Sequence, residues 1–489
     1  MSTSAPAGPA RPTGVVARLD SWFEVTRRGS TWAREIRGGV VTFVTMAYIV
    51  ILNPLILGGF SADQAAQDVT GGWLPNAQVG AVTALTAGVM TILFGTVARL
   101  PFAFAAGLGI NSFLAVTVVR DVTWPEAMGL VVINGLLITL LAVTGLRSLI
   151  FNAVPAPLKT AITVGIGLFI AFIGLVDAGF VRSSGLASPP LQLGSDGSVA
   201  SLPTLTFVLA LVVIGVLMAR GVRGAILIGI VASTVLAIAL QAVFQVAPSA
   251  GQDPDGWNLN APALPSQIVA LPDLSLVGEV SFGAFARIGV LSAVMLVFTL
   301  LFTNFFDAMG TMTGLAKASD LADDAGTFPR LRSALVVEGI GAVAGGATSS
   351  SSNTVFVESA SGIGEGARTG AASVVTGLLF VAAMFFTPLT QVVPLEVASA
   401  ALVVVGALMV SQIRFVEWHS FSVTLPVFLT ILVMPLTYSI ANGIGVGFVS
   451  WVVLRSLAGR ARTVSPLLWV VAVGFLVFFV RGPLEQLLA

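Results

Sequence analysis

Apolar runs of about 20 residues, the length that crosses a bilayer's hydrocarbon core, recur almost from end to end of the chain, separated by short stretches rich in Pro, Gly and charge. They place spans at 38–58, 77–97, 102–119, 126–146, 155–177, 203–219 and 223–246, and a second set at 286–306, 331–346, 352–366, 369–389, 394–412, 421–437 and 440–455. The pattern predicts an all-α polytopic membrane protein of about 14 transmembrane helices. A further apolar run, Ser465–Val480, is either an extra span or a segment lying on the membrane.

The polar stretches orient the spans, because cytoplasmic loops carry the Lys and Arg. With the N-terminus inside, Arg99, Arg147, Lys159, Arg220, Arg223, Lys317, Arg330, Arg332, Arg368, Arg414, Arg455 and Arg460 all fall on the cytoplasmic side, and Arg182 is the main exception. The insert 247–279 holds Asp253, Asp255 and Asp273 without Lys or Arg and belongs outside. Seven spans precede it, so the second set starts from the opposite face, the geometry of a 7+7 inverted repeat. VPAPLKTAITVGIGL from Val154 and VPLEVASAALVVVGAL from Val393 show matching Val-Pro openings and small-residue spacing.

Composition agrees: 56% of the 489 residues are hydrophobic and 9% charged, against about a quarter charged in soluble domains. A soluble globular protein is excluded. Lys plus Arg equals Asp plus Glu at 23 each, so no basic excess points to nucleic acid. Without cysteine there are no disulfides or thiolate sites, and the single His419, beside Glu417, cannot make a histidine cluster. Residues 1–37 read as a cytoplasmic tail and not as a signal peptide. No cofactor or metal motif is present.

Ionisable groups inside spans are costly and point to function. Asp307 in TNFFDAMGTMTG and Glu358 in SSSSNTVFVESASGIG stand out. The alternative, that each caps a helix or pairs with an arginine, is weakened because no basic residue lies within one helical turn of either. Gly345–Gly364, GGATSSSSNTVFVESASGIG, is poor material for a continuous helix and predicts a broken one whose start presents free N–H groups near Glu358. Its counterpart in the first set is FAFAAGLGINSFLAVTVV, where Gly107, Gly109 and Asn111 interrupt the apolar run. Asn111 offers a donor and an acceptor for the edge of a planar heterocycle; Phe102, Phe104 and Phe356 are candidates for stacking or for mere packing. Asp307 and Thr311 share a helix face, and carboxyls held in such a dry site, Asp307 and Glu358, are candidates for proton coupling. Asn53-Pro54 and Asn134 read as kinks or interhelical bonds, Glu338 and Glu396 as lying toward span ends, and Trp124, Trp418 and Trp451 as interfacial anchors. The chain lacks the G-x-x-x-x-G-K-[ST] loop of ATP-driven pumps and the H-E-x-x-H and G-x-S-x-G signatures of hydrolases.

GGVVTFVTMAYIVILNP from Gly38, AAGLGINSF from Ala105, FFDAMGT from Phe305, NTVFVESASGIGEGARTG from Asn353 and MPLTYSIANGIGVGF from Met434 resemble the nucleobase-ascorbate (nucleobase:cation symporter) transporters, in their AzgA-like guanine/hypoxanthine permease branch. The resemblance covers both halves. It implies short antiparallel strands in spans three and ten, core and gate domains, and usually a homodimer. It puts the base between spans three and ten, with Asp307 and Glu358 as the acids of spans eight and ten, Asn111 as the polar residue of span three, and Asn353, Thr354, Phe356 and Val357 around the ligand. Departures are Asp307 where uracil and xanthine branches carry Glu, Thr311 where uracil permeases can carry His, and Ala106 where Pro is common.

The resulting expectation is proton symport of hypoxanthine, guanine or adenine at the plasma membrane, by an elevator-like movement of a core (38–146 and 286–389) against a gate (147–246 and 390–456). The tail 1–37, the extracellular insert 247–285 and the C-terminal segment 457–489 lie outside both. A sulfate/anion carrier of the same architecture and, less supported, a membrane-embedded enzyme are the alternatives.

Overall fold

The computed structural model describes residues 14–146, 154–186, 188–195, 197–199, 201–249, 255–265, 267–321, 328–416, 418 and 420–480. Arg147, Asp253, Glu417 and His419 lie outside the described residues. Among the described residues ten helices are long and apolar enough to cross a membrane: Trp32–Leu57, Asn76–Val97, Trp124–Thr144, Ala156–Asp177, Leu202–Ala219, Ala225–Phe244, Val290–Ala316, Gly370–Val392, Leu395–Phe415 and Ile440–Thr463. Ten is fewer than the hydropathy pattern predicts, and the shortfall sits where helices are short or broken. Leu108–Arg120, Phe421–Leu436 and Pro466–Phe479 are apolar but short, Leu331–Ala347 has 17 residues, and the segment at 352–366 is part strand, part helix.

Among the described residues six short strands accompany the helices: β1 Gly58–Gly59, β2 Leu74–Pro75, β3 Phe104–Ala106, β4 Val181–Ser183, β5 Leu191–Leu193 and β6 Asn353–Val355. β3 and β6 pair antiparallel, with Phe104 opposite Val355, Ala105 opposite Thr354 and Ala106 opposite Asn353. The ladder extends at both ends, since Gly107 N donates to Ser352 O and Phe356 N to Ala103 O, each at 2.9 Å. Backbone at membrane depth has no water to bond, so each strand is needed to satisfy the other. The serine-rich approach to β6 makes the break: Ser349 and Ser351 take left-handed φ of 58° and 71°, which no continuing helix tolerates. Half-helices Leu108–Val116 and Ser359–Gly364 follow the two strands.

Small residues let helices touch at the backbone. A Cβ on Gly88 would lie 2.8 Å from Gly377 O and 2.9 Å from Val381 N, fixing helix Asn76–Val97 against Gly370–Ala383. Glu35, fully buried in the first turn of Trp32–Met46, accepts from Arg368 N at 2.9 Å and from Thr369 N and Ala372 N at 3.3 Å. It thereby supplies the anionic cap that the start of Gly370–Ala383 requires.

Ionic contacts concentrate at the helix ends. Glu365 pairs with Arg37 at 2.8 Å and with Arg223 from the loop before Ala225–Phe244. Glu24, after the helix Val15–Phe23, lies between Arg28 at 3.1 Å and Arg99 at 3.7 Å, and the Arg99 guanidinium stacks on Trp22. The insert is strapped across the opposite helix ends: Asn258 N donates to Glu396 Oε1 and Trp257 Nε1 to Gln241 Oε1, both at 2.8 Å. Trp124 and Trp451 are buried, the former donating to Ala66 O, and so pack rather than anchor at a lipid interface; Trp418 is exposed.

Candidate functional site

A cavity of about 460 Å³ opens beside the β3–β6 crossing. One wall is the start of the first half-helix, Gly107 to Ile110, with Val355 to Glu358 at the end of β6. A second is helix Val290–Ala318, which contributes Thr303, Asp307 and Thr311 at one-turn intervals, as spacing on one helix face demands. Opposite stand Thr163, Ile166 and Ile170 of Ala156–Asp177, and Val405 and Met409 of Leu395–Phe415. Arg414 lies at the end of that last helix.

The structure brings five of the residues read from sequence into this cavity: Asp307, Thr311, Phe356, Val357 and Glu358. Glu358 immediately precedes the half-helix Ser359–Gly364. One of its carboxylate oxygens accepts from Tyr48 Oη at 2.5 Å, and Asp307 lies near enough to Glu338 and Glu358 to interact with both electrostatically. Glu338 is fully buried mid-helix and not at a span end.

Asn111, Asn353 and Thr354 do not line the cavity; they form a buried polar layer behind it. Asn111 Nδ2 donates to Asn53 Oδ1 at 2.5 Å, and Asn53 Nδ2 donates to Thr83 Oγ1 at 2.7 Å and to Ser350 O at 3.1 Å. Asn353 Nδ2 donates to Ser350 Oγ at 3.2 Å. Phe102 and Phe104 pack on Phe94, with centroids 5.9 Å and 4.8 Å away, and do not face the cavity.

Tyr48 is the cavity residue that sequence reasoning missed. Its signal was a phenol in the apolar run MAYIVIL, which reads as packing until a carboxylate is found within reach. Thr303 was missed as well, although its place four residues before Asp307 puts it on the same helix face as Thr311; the apolar wall of Ile166, Ile170, Val405 and Met409 carries no sequence signal. Among the described residues no group of three or more His, Asp or Glu is placed to hold a metal ion. A cavity with two carboxylates, the hydroxyls of Tyr48, Thr163, Thr303 and Thr311, and mostly apolar walls suits a small molecule that has a hydrophobic body and N–H or O–H donors on its edge.

A family model described as a permease family, the xanthine/uracil permeases, matches residues 33–446. A putative permease of Methanocaldococcus jannaschii is 34% identical, over 94% of this chain and 98% of its own. The guanine/hypoxanthine permease PbuG of Bacillus subtilis is 34% identical, covering 94% and 99%, and the adenine permease AdeP of Escherichia coli 34%, covering 94% and 95%. All are named as permeases and none as an enzyme. Among solved structures, the transmembrane domain of the cyanobacterial bicarbonate transporter BicA aligns with TM-score 0.58 at 16% identity, over 84% of this chain and 97% of its own. The murine anion transporter Slc26a9 in its inward-facing state aligns with TM-score 0.58 at 11% identity, over 94% and 74%. These two share the fold. With the family model spanning most of the chain and relatives matching it nearly end to end, the chain belongs to the xanthine/uracil permease family of membrane transporters.

Proposed function

We propose that this permease imports purine nucleobases, namely hypoxanthine, guanine or adenine, by proton symport across the plasma membrane. The observation that carries the reading is the pair Asp307 and Glu358 in one cavity, in a chain whose relatives are named for guanine, hypoxanthine and adenine. A purine presents N–H donors along its edge, which Glu358 accepts, while its flat faces lie between Phe356, Val357 and the apolar residues Ile166, Val405 and Met409. Thr311 supplies a hydroxyl, and Asn111, Asn353 and Thr354 hold the strand crossing in shape from behind. Asp307, an ionisable group within a span and on the wall of the same cavity, is the proton carrier.

The cavity walls come from two groups of elements. The half-helix after β3, the end of β6 and helix Val290–Ala318 belong to the core, and helices Ala156–Asp177 and Leu395–Phe415 to the gate, so sliding of core on gate carries the bound base across. Fourteen spans in a 7+7 repeat, a cytoplasmic N-terminus and a homodimer complete the proposal. With that orientation, Thr163, Gly314 and Arg414 lie toward the cytoplasmic ends of their helices, and the cavity faces inward. An anion carrier has weaker support: two carboxylates against the single Arg414 make a poor anion site.

Uptake of radiolabelled hypoxanthine, guanine and adenine in cells lacking their own purine permeases tests the reading. Accumulation that a protonophore collapses is expected; no uptake above vector control for any of the three would refute it.

A further inference from the structure

The regular hydrogen-bond ladder of the first span is broken beside the cavity. Between Trp32–Met46 and Ile49–Leu57, Ala47 and Tyr48 keep helical φ/ψ, but Val50 N and Ile51 N bond back only three residues, to Ala47 O and Tyr48 O. Tyr48 is fully buried, and its phenol oxygen lies 2.5 Å from Oε1 of Glu358. Among the described residues Tyr48 is the side chain that donates to the Glu358 carboxylate.

The pair is held by close backbone packing and not by the hydrogen bond alone. A Cβ on Gly38 would lie 2.6 Å from Ala367 Cβ and 2.9 Å from Gly362 O, so the first helix and the half-helix that starts after Glu358 touch main chain to main chain. Thr45 Oγ1 also reaches Glu358 O at 3.5 Å. Tyr48 therefore cannot drift from Glu358 unless the two helices part.

A glutamate whose carboxylate turns freely offers either oxygen in many directions and accepts a donor almost anywhere around it. Clamping Oε1 removes that freedom. We infer that Tyr48 is a positioning residue for substrate recognition: its O–H fixes Oε1 of Glu358, so that Oε2 alone faces the cavity and accepts one N–H of the bound base from one direction. The inference rests on the nucleobase reading and sharpens it, because a single fixed acceptor demands a donor at one edge position of the ring and rejects a ring alkylated there.

Tyr48→Phe keeps the ring and removes the O–H. With purified full-length transporter, the expected result is a tenfold to hundredfold weaker hypoxanthine Kd by calorimetry, about the worth of one hydrogen bond to a charged group. In cells KM rises by a similar factor, while Vmax changes less than about twofold at that level of effect. Infrared difference spectra supply the second readout: the carboxyl band that vanishes in Glu358→Gln shifts in frequency in Tyr48→Phe. An unchanged Kd overturns the inference. So does a weaker Kd with the band unmoved, since Tyr48 would then act without Glu358. If hypoxanthine binds neither protein, the nucleobase reading fails, and the band still decides whether the clamp exists. If Tyr48→Phe does not accumulate, the wild-type band decides by itself, and the frequency of an unbonded carboxyl overturns the inference.

Discussion

At the scale of the residue, the cavity is organised by groups that are costly to bury. Asp307 and Glu358 were legible in sequence because an acid in an apolar run has few structural uses. Glu358→Gln is expected to abolish measurable hypoxanthine binding by calorimetry, and Asp307→Asn to cut proton-driven uptake at least about tenfold, the scale of one lost charge-assisted contact. Unchanged binding and uptake in both variants would remove these acids from the site. Asn111 was as conspicuous as either acid, yet it sits behind the wall, bonded to Asn53, because an amide serves a buried polar layer as readily as a ligand. Outside the membrane, Asp68 ties down the loop before Asn76–Val97. Burial pushes its carboxyl up, but hydrogen bonds from Trp124 N–H, the Thr70 hydroxyl and N–H, and Gly72 N–H outweigh that and hold it below the usual carboxylate range. A folded-state value below the unfolded one means that this stabilisation is present above the ordinary carboxyl range and is lost as pH falls through the depressed value. Asp68→Asn should therefore lower thermal stability at pH 7, with a cost of about 1–3 kcal/mol for donors left unpaired. The gap from wild type should narrow as the melting assay is moved toward acid pH; a constant gap would assign the loss to packing.

At the scale of the element, the two broken spans were readable from their Gly, Ser and Asn content, since helix propensity fails there. That each break holds a strand paired with the other lay beyond composition, because pairing joins segments far apart in sequence; only the family resemblance implied it. Helix contacts through glycine were likewise invisible, since a glycine in an apolar run reads the same whether it faces lipid or another backbone. Gly88→Val is expected to part Asn76–Val97 from Gly370–Ala383, seen as a lower melting temperature or loss of monodisperse protein; wild-type behaviour would mean that the contact can relax. The Glu365–Arg223 pair joins the half-helix after β6 to the loop before Ala225–Phe244, and so bridges the proposed core and gate. Because the chain has no cysteine, a single Thr163→Cys on the cavity wall reports which face is open. Arg223→Gln should slow maleimide labelling at that site in inside-out vesicles by depopulating the inward-facing state, and an unchanged rate would show that the pair does not favour either state.

At the scale of the whole molecule, composition established the membrane as solvent, and loop charge gave the expected orientation. The number of full spans was less legible, because hydropathy counts apolar residues whether they lie in one long helix or in a strand and a short one. Among the described residues ten helices satisfy the length of a bilayer, and the proposed fourteen-span repeat would require the short and broken segments to be counted as crossings. The same crossing constrains how the protein is made. Ala103 and Ser359, bonded at the β3–β6 junction, are 256 residues apart, and Glu35 waits still longer for the helix it caps, 337 residues away. At the usual pace of synthesis the first half spends on the order of tens of seconds in or beside the translocon with an unpaired strand, in a medium that cannot solvate it. Residues 1–250 expressed alone should therefore be degraded, and co-expression of residues 251–489 should rescue them, read by immunoblot of membrane fractions. Stable accumulation of the lone fragment would mean that the nascent strand finds another partner. Biogenesis, and not only transport, is then where changes at Ala105 or Thr354 would be felt first, as protein lost to quality control before it can carry anything.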